Sequence, residues 1–158
     1  MNAGRIVATM AFLAGAAGAS AQTANQSVTF QVDAINQISV AGSPSLVINT
    51  ATAGSAPTQA SAAASWAVTT NQTGAKITAS INSAMPAGLT LQVNLSAPAG
   101  ATTAGATTLS TTAADVVTSI TKLAQSGIAI GYTLDATPAA GVVSSTSRTV
   151  TFTITGGT

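Results

Sequence analysis

Leu89, Leu91, Val93 and Leu95 alternate with Thr90, Gln92 and Asn94, and that alternation leaves the segment one economical way to bury its apolar side chains. Successive residues of a strand face opposite ways, so a period of two dries one face and wets the other. A helix would scatter the same four residues around its circumference. The pattern recurs at Val28, Phe30 and Val32, at Ile128, Ile130, Tyr132 and Leu134, and at Val150, Phe152 and Ile154. Between these runs stand turn formers such as Met85-Pro86-Ala87-Gly88.

Weaker signals complete the series. Residues 35–40 continue the first strand after a bend, and Leu46 and Ile48 mark a short strand after Gly42-Ser43-Pro44. Trp66 and Val68 open a further strand. Asn71-Gln72-Thr73-Gly74 is its four-residue turn, and Ile77, Ala79 and Ile81 return as a hairpin. Residues 51–64 and 97–114, rich in Ala, Ser, Thr and Gly, read as loops, with one short strand near Leu109. Residues 115–124 fit two periods. Val116, Val117, Ile120 and Leu123 suit a helix, whereas Thr118, Ser119 and Thr121 lower helix propensity and favour a strand.

Seven to nine short strands with no convincing helix predict an all-β fold, an antiparallel β-sandwich of immunoglobulin-like topology. That likeness is architectural, because the cysteine pair of antibody domains is absent. No repeat of fixed period points to a solenoid or propeller.

The N-terminus has the three parts of a secretory signal peptide. Arg5 supplies the positive charge, residues 6–17 the apolar run, and Ala19-Ser20-Ala21 the small-x-small end. Residues 1–21 are therefore expected to be a leader and 22–158 one β-sandwich domain. The apolar run is shorter than the roughly 20 residues that span a bilayer, so no membrane span is predicted. The expected location is the periplasm, the cell surface or the medium. Such compartments permit disulfides, yet the chain has no cysteine; burial and sheet hydrogen bonds must stabilise it alone.

Composition decides what chemistry is open to this chain. Beyond residue 21 its charged side chains are Asp33, Asp115, Asp135, Lys76, Lys122 and Arg148, with no His, Cys or Glu. General acid–base catalysis, nucleophile activation and metal ligation draw on those missing types. No catalytic residue, cofactor or metal is predicted, and the chain is read as not an enzyme. The charges cancel, so the basic footprint of a nucleic-acid binder is missing. A net charge near zero removes the repulsion that keeps copies apart.

Four sets of residues are candidate sites. Phe30, Trp66, Tyr132 and Phe152 each share the apolar phase of their own strand, which argues for core packing over a sugar platform. Thr149, Thr151, Thr153 and Thr155 share the face opposite Val150, Phe152 and Ile154; they form a flat threonine face or an ordinary solvent face. Asp33, Asp115 and Asp135 lie in separate segments without a calcium-loop motif. The fourth set is Val28, Phe30 and Val32, an uncharged strand just behind a short polar N-terminal stretch. Soluble proteins usually guard such edges with charge or proline. An unguarded strand near a free N-terminus suits addition to a neighbour's sheet; the plainer reading, which the sequence favours, makes it the first strand of its own sandwich.

The function read from the sequence is therefore a secreted, non-enzymatic structural protein. It would be a self-associating subunit of a fimbria-like extracellular filament or surface layer. The alternative is a monomeric binding module for a glycan or an envelope protein, using the loops at 51–64 and 97–114. Those loops lack the aromatic and charged anchors that carry binding energy.

Overall fold

A computed structural model describes residues 21–158. The expected leader, residues 1–21, lies outside them except for Ala21. The chain divides after Gln31, and every strand belongs to the unit Val32–Thr158.

The fold is all-β. In chain order the strands are β1 Asn36–Ala41, β2 Ala60–Ile81, β3 Leu89–Leu95, β4 Thr102–Thr103, β5 Thr107–Thr108, β6 Ala114–Ala136 and β7 Val150–Thr155. The only helical turn among the described residues is a 3-10 segment, Pro138–Ala140. All pairings are antiparallel. They form one seven-stranded sheet in the order β1-β2-β6-β3-β5, with β4 on β6 and β7 on β2, and the sheet does not close.

The long strands β2 and β6 organise the rest. β6 takes one edge of β2 over almost its whole length, so β1 and β7 share the other. β1 covers residues 65–70 of β2 and β7 covers residues 76–81. The residues expected to form a hairpin turn, Asn71-Gln72-Thr73-Gly74, lie inside β2 instead. The reason shows in the burial phase. Trp66, Val68 and Thr70 are buried, and then Ala75, Ile77, Ala79 and Ile81. An undisturbed strand cannot change from even to odd residues on one face. The ladder with β6 shifts register between Thr70 and Ala75, and extra residues at such bulges restore the phase. In the facing part of β6, Ser119 and Lys122 take positive φ values of 61° and 38°, which non-glycine residues rarely adopt. The turn signal at 71–74 was real in composition, but it bends a continuous strand.

Other segments also depart from the sequence reading. Residues 28–32 are not a strand of the sheet; the stretch from 21 to 35 has no secondary structure. Leu46 and Ile48 lie in irregular chain, and residues 60–64, read as loop, begin β2. Residues 115–124 are strand, within β6. The turn at Met85-Pro86-Ala87-Gly88 forms as read: Leu89 N–H donates to the Pro86 carbonyl at 3.1 Å. Gly88 takes φ +78°, and a Cβ there would come within 2.6 Å of the Ala140 nitrogen, so the position suits glycine alone.

The core is one cluster. Trp66, Ile77, Leu95, Ile120 and Ile130 are its largest fully buried members, drawn from β2, β3 and β6. Ile38, Val150, Phe152 and Ile154 pack against it from β1 and β7.

Candidate functional site: an open apolar groove

The core is incomplete on one side. A groove of about 1080 Å³ runs beside β7. Leu89 and Leu91 of β3 line it, with Tyr132 and Leu134 of β6 and Val150 and Phe152 of β7. Leu46 and Ile48 contribute from the irregular chain after β1. Alternation places these side chains. In β7 the pattern is half-buried at Val150, Phe152 and Ile154 and exposed at the threonines between. In β6, Ile128, Ile130 and Tyr132 are buried while their odd-numbered neighbours are more open.

The groove has an edge to bind with as well as a face. Among the described residues β7 pairs only with β2, so its outer edge has no strand partner. β7 also contains no charged residue, whereas exposed edges are usually protected by charge, proline or a bulge. Arg148, two residues before β7, is tied back: its guanidinium donates to the Ala84 carbonyl at 3.1 and 3.0 Å.

Val28, Phe30 and Val32 are 75%, 87% and 77% exposed. The core role expected for Phe30 is therefore not met, because its segment never enters the sheet. Trp66 and Tyr132 are buried, and Phe152 is partly so. Thr149, Thr151, Thr153 and Thr155 all face outward. The aspartates have separate occupations. Asp115 pairs with Lys76 at 3.0 Å, nearly half exposed and so worth little. Asp135 accepts from Gln59 Nε2 at 2.7 Å, and the Asp33 carbonyl accepts from Asn71 Nδ2 at 2.8 Å. Among the described residues no three His, Cys, Asp or Glu side chains gather, and no helix is long and apolar enough to cross a membrane.

Tyr132 reports on the groove floor. Burial desolvates its phenol and pushes its pKa above the ordinary 10.0. A raised folded pKa means a stabilising contribution that is whole below pH 10 and is lost as pH climbs beyond it. Tyr132 is the one tyrosine in the chain, so phenolate absorbance isolates it. The folded protein is expected to titrate at higher pH than the urea-unfolded chain. Coincident curves would place this phenol in water.

The sequence reading missed the groove. Its lining residues look like core positions in any strand list, and only their placement leaves them uncovered. Compared with known proteins, the chain matches no protein-family model, no curated protein and no solved structure.

Proposed function

We propose that this chain is a secreted, non-enzymatic structural subunit that self-associates by strand addition into a filament or surface layer. In this reading the fold is an immunoglobulin-like sandwich short of one strand. The segment carrying Val28, Phe30 and Val32 in one copy fills the open position beside β7 in the next. One observation carries the reading: the same chain has an apolar groove with an unpaired strand edge and an exposed, uncharged segment of alternating apolar residues.

The two halves match in chemistry. An added strand satisfies its own backbone groups and those of the β7 edge, and its alternate side chains enter the groove. Three apolar residues at a period of two, Val28, Phe30 and Val32, face three on β7, Val150, Phe152 and Ile154. Neither the stretch from 28 to 32 nor β7 carries charge, and the one charged side chain lining the groove, Arg148, already donates to the Ala84 carbonyl.

The test is the size of the chain from Gln22 onward, by light scattering across a concentration series with negative-stain images of the same samples. Growing oligomers or fibres are the expected result. A sharp monomer at every concentration would overturn self-assembly and leave a monomeric module, to be screened against glycans and envelope proteins.

A further inference from the structure

We infer that Asn71 is a positioning residue that makes strand addition intermolecular, by gripping the root of the N-terminal segment so that it cannot turn back into its own groove. This rests on the reading of the groove given above. Asn71 Oδ1 accepts the Ile35 N–H at 2.8 Å, its Nδ2 donates to the Asp33 carbonyl at 2.8 Å, and its backbone N–H donates to the Ile35 carbonyl at 3.3 Å. One side chain therefore grips the backbone on both sides of Ala34. The next residues are fixed too: Asn36 Nδ2 donates to Gln72 Oε1 at 2.6 Å, and Thr70 Oγ1 donates to Asn36 Oδ1 at 2.8 Å. Thr70 is buried, so this polar joint is anchored in the fold.

Its place on β2 matters. β1 runs from Asn36 opposite Thr70 to Ala41 opposite Ser65. The groove begins at the far end of β1, at Val40. Five strand residues separate Ile35 from Val40, about 17 Å at 3.3 Å each. Phe30 also lies five residues from Ile35, so its greatest reach is about 17 Å. The β7 wall is within the same reach, because Gly156, just past the end of β7, lies against Asn36 and Gln72, which puts Phe152 four residues, about 13 Å, from the joint. Phe30 can therefore reach its own groove, but only after a complete reversal at residues 33–35. Those are the residues Asn71 grips. A neighbouring copy's groove carries no such restriction.

The chain lacks cysteine, which permits a direct test on the chain from Gln22 onward. Phe30→Cys is combined with Leu134→Cys on the groove wall, and in a second variant with Val150→Cys in case either wall substitution disturbs folding. Each is oxidised with and without Asn71→Ala, and the products are separated under denaturing, non-reducing conditions. With Asn71 present, the expected product is a ladder of disulfide-linked multimers. With Asn71→Ala, an internally linked monomer should rise several-fold at the ladder's expense, while the fluorescence of buried Trp66 is unchanged. An unchanged ladder in Asn71→Ala overturns the role of Asn71 and leaves groove insertion standing. An internally linked monomer that dominates with Asn71 present also overturns it. No crosslink in either wall variant overturns groove insertion itself, and the role of Asn71 with it.

Discussion

Phe30→Asp should abolish assembly while leaving the fold of each subunit intact. Phe30 is 87% exposed, so its replacement removes no contact from the subunit's own core, and a surface change of that kind moves stability by no more than about 0.5 kcal/mol. In the docked state the same position enters a groove floored by Leu91, Tyr132 and Leu134. Burial of a phenylalanine contributes about 1.5–3 kcal/mol. Placing a carboxylate among apolar walls adds a penalty of several kcal/mol. Each 1.4 kcal/mol is a factor of ten in association, so the combined loss exceeds about a thousandfold. Light scattering should show monomers at concentrations where the parent chain grows, with coincident urea unfolding curves for the two at high dilution. Val28→Ser and Val32→Ser, with smaller apolar losses, should weaken assembly by roughly tenfold each. Unimpaired growth of the Phe30→Asp chain would remove residues 28–32 from the interface.

Trp66→Ala should have the opposite profile, costing about 3–5 kcal/mol of subunit stability through lost burial and the cavity left behind. Trp66 is 1% exposed, on β2 between Val40 of β1 and Ile128 of β6. Domains of this size are stable by roughly 5–15 kcal/mol, so the variant should be near the edge of folding at room temperature. Trp66→Phe should cost less than its lost volume implies. The indole Nε1 is buried without a hydrogen-bond partner, and deleting an unsatisfied donor relieves a desolvation penalty of about 1–3 kcal/mol. Urea midpoints measured at high dilution, where assembly adds no stability by mass action, should rank parent above Trp66→Phe above Trp66→Ala. A Trp66→Ala chain as stable as the parent would contradict the packing described for β2. The pair of results would separate two uses of a large aromatic in one chain: Trp66, buried within the subunit, and Phe30, proposed to join one subunit to another.

Much of the core was legible because alternation is a local property. Val93 and Leu95 are buried for the reason their spacing suggests, and so are Ile128, Ile130 and Tyr132. The outward threonines of β7 follow from the same period. Continuity was not legible. Asn71-Gln72-Thr73-Gly74 has the composition of a turn, but β1, β6 and β7 pair with β2 on either side of it and hold the chain in one strand. Residues 28–32 have the composition of a strand, yet a strand exists only with a partner, and they pair with none of the described strands.

By itself the sequence determined the class of fold, the faces that must be dry, and the poverty of acid, base and ligand groups. Each depends on residue type and on spacing over a few positions. Only the tertiary structure decided which strands meet, where the sheet bends, and which apolar face is left uncovered. Those outcomes depend on hydrogen-bond partners drawn from distant parts of the chain. Val28, Phe30 and Val32 show the difference: their spacing is that of a strand, but no described strand pairs with them, so they lie exposed.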